Sequence, residues 1–271
     1  WDPVRRQFAH PLGPEGAPGL IAQALHGGPS GRVWVGPIAS TRIFAWEGDR
    51  CVAQVLVPPL SQAQHVLEDS HGGVWVASTS TLVRCDASTR LCEAFGESRG
   101  YRGEDVRVIL EDRQGRVWLG TARGLMRFDG QRFEDMATAT GLGAEAVCAL
   151  CEDIEGRLWI GVQDGGLRCW DPAWTSYTTS EGLLNDAVTA LAEADGSLFV
   201  GTKQGLTRLR PGPSPAFDPF SAGLIDSLRV DTQGRYWVGN GWTVSVLTTD
   251  GVEVLTHLTR ALDNTYNVRA I

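Results

Sequence analysis

One short phrase recurs six times along this chain and limits its fold more than any other feature. It reads GRVWVG from Gly31, GGVWVA from Gly72, GRVWLG from Gly115, GRLWIG from Gly156, GSLFVG from Gly196 and GRYWVG from Gly234. Its aromatic residues are Trp34, Trp75, Trp118, Trp159, Phe199 and Trp237, with separations of 41, 43, 41, 40 and 38 residues. A steady period of about 40 residues is the mark of a chain built from copies of one supersecondary unit.

The unit can be parsed from its chemistry. Each phrase is an apolar run bounded by Gly, too short for a helix, and reads as a strand buried on both faces. Two places after the aromatic stands Gly36, Ala77, Gly120, Gly161, Gly201 or Gly239, on the same sheet face. A small residue there lets a neighbouring sheet approach closely or receive a large ring. Asp69, Asp112, Asp153 and Asp231 each stand three places before a Gly, which is type I turn chemistry. Upstream lies an alternating run such as AVCALCED (146–153) or AVTALAEA (187–194). Downstream come a third strand, GLMRFD (124–129) or GLTRLR (205–210), and a fourth, RFEDMA (132–137) or WTSYTT (174–179). The unit closes at a Gly-Leu turn, as at Gly141-Leu142, Gly182-Leu183 and Gly223-Leu224.

Four antiparallel strands in one such period are the signature of a β-propeller blade. The expected fold class is therefore all-β: a single β-propeller domain over residues 1–271 with six full four-stranded blades. The recurring aromatics then belong to the core between blades, which accounts for five of the ten Trp in 271 residues. The ends leave a second count open. Residues 1–20 resemble an outer strand with its closing turn, and NVRAI (267–271) resembles the start of another inner strand. These pieces fit a partial seventh blade, or stray ends on six. A closed ring removes exposed sheet edges, so either the parent protein is expected to continue beyond Ile271 or the ordered part to omit some residues.

The formal charge of −8 disfavours a non-specific nucleic-acid binder, which would present a basic face. No run of 18 apolar residues is present, so no transmembrane helix is expected within the chain. Cys85 and Cys92 bracket CDASTRLC, a hairpin turn across which they would bridge in an oxidising compartment; the competing reading makes all six Cys small buried hydrophobes. Cys148 and Cys151 imitate a redox Cys-x-x-Cys but lie on a strand, where positions three apart point to opposite faces.

The stretch from Val147 to Leu209 resembles the two-component-regulator propeller repeat. It shows the Val-x-Ala-Leu strand, the acidic turn ending in Gly, the Leu-Trp-Ile-Gly run, a Gly-Leu-x-Arg strand and the closing Gly-Leu. The blade from Val106 to Gly141, through GRVWLGTARGLMRFDG, fits best. The blade from Gly31 has GPIASTRIFAWEG and that from Gly234 has GNGWTVSVLTTDG, so the pattern loosens at both ends. The resemblance implies a non-enzymatic, extracytoplasmic ligand-sensing input module of a bacterial receptor. Such modules precede a membrane span and a histidine kinase or diguanylate cyclase. It also implies a homodimer formed through the parent receptor and a small-molecule ligand, a carbohydrate or an organic acid.

Propeller ligands sit at the loop end. The loops joining second and third strands carry Arg123, Gln163, Asp164, Lys203, Gln204, Asn240 and Trp242. The loops between blades add Tyr101, Arg102, Glu104, Asp105, Asn185 and Asp186. Polar groups beside aromatics suit sugars and organic acids; ordinary solvated loops are the competing reading. An interaction scaffold is a second function class, with the acidic balance favouring a basic partner. A propeller lyase or hydrolase is a third. The five His, at 10, 26, 65, 71 and 257, show no metal-ligand spacing, and no nucleophile elbow or phosphate loop is present. His71 falls in a turn in register with Gln114, and His65 on an inner strand. DGSLFVG (195–201) lacks the spaced carboxylates of a calcium loop. No catalytic residue, cofactor or metal is expected.

Overall fold

The computed structural model describes residues 22–37, 40–47, 50–57, 63–171, 173–212, 215–231, 235–240, 243–248 and 251–257. The expected partial seventh blade, at 1–20 and 267–271, and Trp242 lie outside them. The described residues form six four-stranded antiparallel sheets, each pairing its strands in chain order. This is the expected all-β, six-bladed β-propeller architecture. The chain divides into two compact units, Trp1–Val106 and Arg107–Ile271, described separately below.

The first unit holds two blades. Blade 1 comprises β1 (Ala22–Gly27), β2 (Val33–Pro37), β3 (Arg42–Glu47) and β4 (Arg50–Leu56). Blade 2 comprises β5 (His65–Glu68), β6 (Gly73–Ala77), β7 (Leu82–Asp86) and β8 (Cys92–Phe95). β9 (Val106–Glu111) opens blade 3 and leads into the second unit, with β10 (Val117–Thr121), β11 (Gly124–Phe128) and β12 (Phe133–Asp135). Blade 4 is β13 (Val147–Glu152), β14 (Leu158–Val162), β15 (Gly166–Asp171) and β16 (Ala173–Tyr177). Blade 5 is β17 (Val188–Ala194), β18 (Ser197–Thr202), β19 (Gly205–Arg210) and β20 (Ala216–Ala222). Blade 6 is β21 (Ser227–Val230), β22 (Tyr236–Asn240), β23 (Thr243–Thr248) and β24 (Gly251–His257). The expected fourth strand RFEDMA is shorter than its sequence suggests. It ends at Asp135, whose Oδ1 accepts the Ala137 amide at 2.8 Å, and the chain turns into a one-turn helix, α1 (Ala137–Thr140).

The apolar cores lie between consecutive blades, and the second strands of blades 3, 4 and 5 bury both faces. One cluster joins Trp118, Leu125 and Met136 of blade 3 to Leu150, Leu158 and Ile160 of blade 4. The next joins Trp159, Leu167 and Cys169 to Leu183, Val188, Leu198 and Leu209 of blade 5. At Gly36, Gly120, Gly161 and Gly201 the small residue after the aromatic receives an aliphatic side chain rather than a ring. A Cβ on Gly120 would fall 2.6 Å from Val147 Cγ1, one on Gly161 2.5 Å from Val188 Cγ1, and one on Gly201 2.6 Å from Ile225 Cγ2. Glycine there sets how closely two blades pack.

The turn between first and second strands is organised around its Asp. Asp153 Oδ1 accepts the amides of Glu155 and Arg157, both at 3.0 Å, while Oδ2 accepts Arg157 Nε at 2.6 Å and Trp159 Nε1 at 2.7 Å. Asp112 holds Gln114, Arg116 and Trp118 in the same way, and Asp231 holds Arg235 and Trp237. One carboxylate thereby closes the turn, satisfies a buried indole and fixes an Arg over the indole face. The type I turns follow, with Gly115 N donating to Asp112 O at 2.8 Å and Gly156 N to Asp153 O at 3.0 Å. For Asp153, burial pushes the pKa up, but the bonds from Trp159 and Arg157 outweigh it and hold the pKa below the usual carboxylate value.

Three blades depart from this rule. In blade 2, Gly73 stands where Arg116 and Arg157 stand elsewhere, and a Cβ there would fall on the Arg84 guanidinium. Arg84 arrives from β7 and donates to Asp69 Oδ2 at 2.8 Å. In blade 1, Gly28 replaces the Asp, and the Glu68 carboxylate of blade 2 fills the space a side chain would take. Ser30 Oγ donates to it at 2.6 Å, while Trp34 Nε1 finds no acceptor among the described residues. Blade 5 closes a shorter turn, in which Glu193 Oε1 accepts the Gly196 amide at 3.0 Å. Phe199 has no N–H, Ala194 pairs with Ser197, and a two-residue Asp195-Gly196 turn with φ of 51° and 69° closes the hairpin.

Candidate functional site

The thirteen sequence-derived candidates fall in both units. Arg123, Gln163, Asp164, Asn185, Asp186, Lys203, Gln204 and Asn240 belong to the described part of the second. Tyr101, Arg102, Glu104 and Asp105 belong to the first.

In the second unit the loop end is built by comparing one blade with the next. Blades 3 and 5 join second and third strands by two residues, Ala122-Arg123 and Lys203-Gln204. Each loop is pinned by the Thr before it. Thr121 Oγ1 accepts the Arg123 amide at 3.1 Å and donates to Gly124 O at 3.1 Å. Thr202 Oγ1 accepts the Gln204 and Gly205 amides at 3.3 and 3.2 Å and donates to Gly205 O at 2.9 Å. Blade 4 has Val162 in place of the Thr and a three-residue loop, Gln163-Asp164-Gly165. The added length puts Asp164 at φ 58°, in the left-handed region.

That loop is held by its neighbours instead. Arg107 Nη1, at the start of β9, donates to Gln163 Oε1 and to Cys148 Sγ, the latter at 3.3 Å. Gln163 N donates to Ala146 O at 2.8 Å. On the other side, Lys203 Nζ of blade 5 lies 3.8 Å from Asp164 Oδ1, both side chains largely exposed. Arg107, Gln163, Asp164 and Lys203 thus make one polar run across three blades. Cys148 and Thr189 sit where the pairing of first and second strands shifts register in blades 4 and 5. Such a bulge turns a side chain out of the regular alternation. Sequence reasoning passed over Arg107 because it lies inside an apolar strand; a lone cation there was the available signal.

The other candidates are differently placed. Asn185 Oδ1 accepts the Ala187 amide at 2.9 Å, and Asp186 Oδ1 accepts the Thr179 amide at 2.7 Å, so both shape the blade 4–5 connection. Arg123 is exposed. Gln204 contributes its carbonyl to Gly223 N at 3.0 Å. In the first unit Tyr101 is fully buried, its hydroxyl donating to Glu104 O at 2.6 Å. Burial, then the Glu104 and Asp105 charges, push its pKa well above the phenolic value. Its ring anchors the loop and does not face solvent. Arg102 Nε lies 3.9 Å from Glu104 Oε1.

Groups that would serve acid–base or nucleophilic chemistry are tuned away from it. Burial lowers the His65 pKa to about 4, leaving a neutral ring at neutral pH. Burial, then the Glu193 and Asp153 charges, push the Cys151 thiol up to about 12. Cys148, at the register shift, meets Arg107 Nη1, while Cys151 packs against the cluster that joins blades 4 and 5. Cys85 and Cys92, paired across β7 and β8, form a disulfide. Among the described residues no cluster of three or more His, Cys, Asp or Glu is placed to hold a metal. No helix among them is long and apolar enough to cross a membrane.

Residues 100–123 and 141–164 match the two-component regulator propeller family. Two successive segments of the chain thus match the two-component regulator propeller repeat. These segments span the Tyr101–Asp105 loop with the strand phrase of blade 3, and the Gly141 closing turn with that of blade 4. Among solved structures, the chain is similar to the extracellular domain of a hybrid two-component system from B. thetaiotaomicron. The TM-score is 0.76 at 19% identity, over 90% of this chain and 35% of that one. It is also similar to the extracellular domain of a one-component system from the same organism, with TM-score 0.66 at 16% identity, over 91% and 34%. A third similar structure is a catalytically inactive virginiamycin B lyase from Staphylococcus aureus with quinupristin, with TM-score 0.71 at 12% identity, over 89% and 85%. At these identities the likeness shows the propeller fold alone. The chain spans about a third of the length of the two extracellular domains. No curated protein matches it.

Proposed function

We propose that this chain is an extracellular, non-catalytic sensing segment of a bacterial signal-transduction receptor whose output is a histidine kinase or a diguanylate cyclase. The observation that carries the reading is the match of two successive blades to the two-component regulator propeller repeat. The Cys85–Cys92 disulfide supports an oxidising location. The polar run across blades 3 to 5 supports small-molecule binding at the loop end, with the signal passed through a receptor dimer. A scaffold propeller is the first rival. The second is a propeller lyase, favoured by one observation: the chain and the lyase structure cover each other almost fully.

The test uses the parent receptor, with residues 1–271 present or deleted, and reads kinase or cyclase output while candidate solutes are added outside the membrane. A solute response that disappears with the deletion is expected. An output indifferent to the segment, or consumption of quinupristin by the isolated chain followed by mass spectrometry, overturns the sensing reading.

A further inference from the structure

Among blades 3 to 5, the blade-4 loop is the one that breaks the pattern. Blades 3 and 5 hold the equivalent loops with a local Thr hydroxyl, a fixed internal tether. Blade 4 has lost that Thr, gained a residue and placed a non-Gly residue at positive φ. Departures from a repeat's local consistency concentrate where function, rather than folding, selects the residue. What holds this loop is also unlike the other two. Beside the backbone bond from Gln163 N to Ala146 O, its side chains meet two long cationic side chains from the flanking blades, one taking a neutral amide oxygen and the other a carboxylate oxygen. Both oxygens come from adjacent residues, Gln163 and Asp164, so one short segment offers two oxygens to two cations.

We propose that this segment holds a carboxylate-binding site closed, with Gln163 and Asp164 standing in for the ligand's oxygens on Arg107 and Lys203. The inference rests on the sensing reading and names its ligand class: a small carboxylate, whether an organic acid or an acidic sugar. A ligand carboxylate competes with Asp164 for Lys203 and with the Gln163 amide for Arg107. The Asp164–Lys203 contact suits that role. At 3.8 Å, with both side chains largely exposed, it is a weak pair that an incoming anion can replace. Gly166 N, bonded to Asp186 O at 2.8 Å, keeps the base of the loop in place while its tip side chains exchange partners. Binding would thereby uncouple blade 4's loop from blades 3 and 5, which is a change a receptor can read.

The test is calorimetric titration of the 271-residue chain at fixed ionic strength with malonate, with glucuronate and with glucose. Fixed salt matters because exposed pairs are screened. Asp164→Asn keeps a residue that accepts positive φ and removes only the competing charge. Lys203→Gln removes the cation. Expected are binding of malonate or glucuronate but not glucose, affinity about two- to five-fold tighter in Asp164→Asn, and affinity about ten-fold weaker in Lys203→Gln. Whichever carboxylate binds more tightly separates an organic acid from an acidic sugar. Unchanged thermal melting in both variants keeps the comparison free of folding effects. Affinity unchanged or weaker in Asp164→Asn overturns the inference, as does binding of glucose alone, or of no probe. A receptor that still signals through this segment while the chain binds no carboxylate refutes this inference and leaves the sensing reading standing.

Discussion

Replacing Asp153 by Asn tests the claim that one carboxylate organises each turn. The substitution keeps the size of the side chain, and its carbonyl can still accept the Glu155 and Arg157 amides. Its NH₂ group, however, faces two donors, Trp159 Nε1 and Arg157 Nε, which now sit at 2.7 and 2.6 Å from an oxygen. Trp159 is 1% exposed, so its N–H loses its acceptor without gaining water; that costs about 1–3 kcal/mol. Arg157 is partly solvated and recovers some of its lost charge-assisted bond, leaving about 1 kcal/mol. The sum is about 3 kcal/mol, a large part of a typical folding free energy. Equilibrium urea unfolding followed by Trp fluorescence reads it as a lower midpoint. The double variant Asp153→Asn with Trp159→Phe removes the orphaned donor and should recover about 1 kcal/mol or more. Blade 5 is the natural precedent, carrying Phe199 in place of the Trp and Ala194, paired with Ser197, in place of the Asp. A single-variant loss below about 1 kcal/mol, or a double variant less stable than the single, refutes the reasoning. The pH dependence adds a check. The folded pKa of Asp153 lies below its unfolded value of about 3.9, so its stabilisation is complete above that pH. It is lost as pH falls through the folded value, and the Asn variant should lack that component of acid sensitivity.

Two further outcomes follow from the packing. Gly161→Ala should destabilise by about 1–3 kcal/mol, because its Cβ would stand 2.5 Å from Val188 Cγ1, and Val188→Ala should restore much of the loss; an unchanged urea midpoint for the single variant would contradict the close approach. Reducing the Cys85–Cys92 disulfide should cost at most about 2.5 kcal/mol, the chain-entropy value for so short a loop. The hairpin should keep its register because Asp86 Oδ1 still accepts the Ser88 and Thr89 amides at 2.8 and 2.7 Å; loss of protection at β7 and β8 amides in hydrogen exchange, beyond that small shift, would show the disulfide to be the sole tie.

The turn acid illustrates a signal that was present in the sequence but not decoded. Each such Asp precedes its Trp by six residues, at 69 and 75, 112 and 118, 153 and 159, and 231 and 237. In the one phrase where Phe replaces Trp the sixth residue before it is Glu193, whose Oε1 accepts the Gly196 amide at 3.0 Å. Turn propensity explains Asp and Gly separately, whereas only the folded geometry shows that the same oxygen serves the turn, the indole and the Arg. The compensations in blades 1 and 2 had no linear signal. Glu68 and Arg84 reach into gaps at Gly28 and Gly73 from 40 and 11 residues away, and sequence spacing alone does not connect them. Among the candidate site residues, a loop position was legible but its orientation was not. Tyr101 reads as an exposed aromatic beside polar neighbours and is instead the buried anchor of its loop.

Sequence alone determined the all-β class, the blade period, the order of strands within a blade and the turns that join them. These follow from local periodicity and turn chemistry, repeated often enough that each blade corroborates the next. Tertiary structure decided which groups meet. The interblade knob at Gly161, the Cys85–Cys92 pairing, the carboxylate that Glu68 lends to blade 1 and the cations that hold the blade-4 loop all depend on side chains from separate strands. Such contacts are set by strand register and by the distance between sheets, and a linear pattern encodes neither.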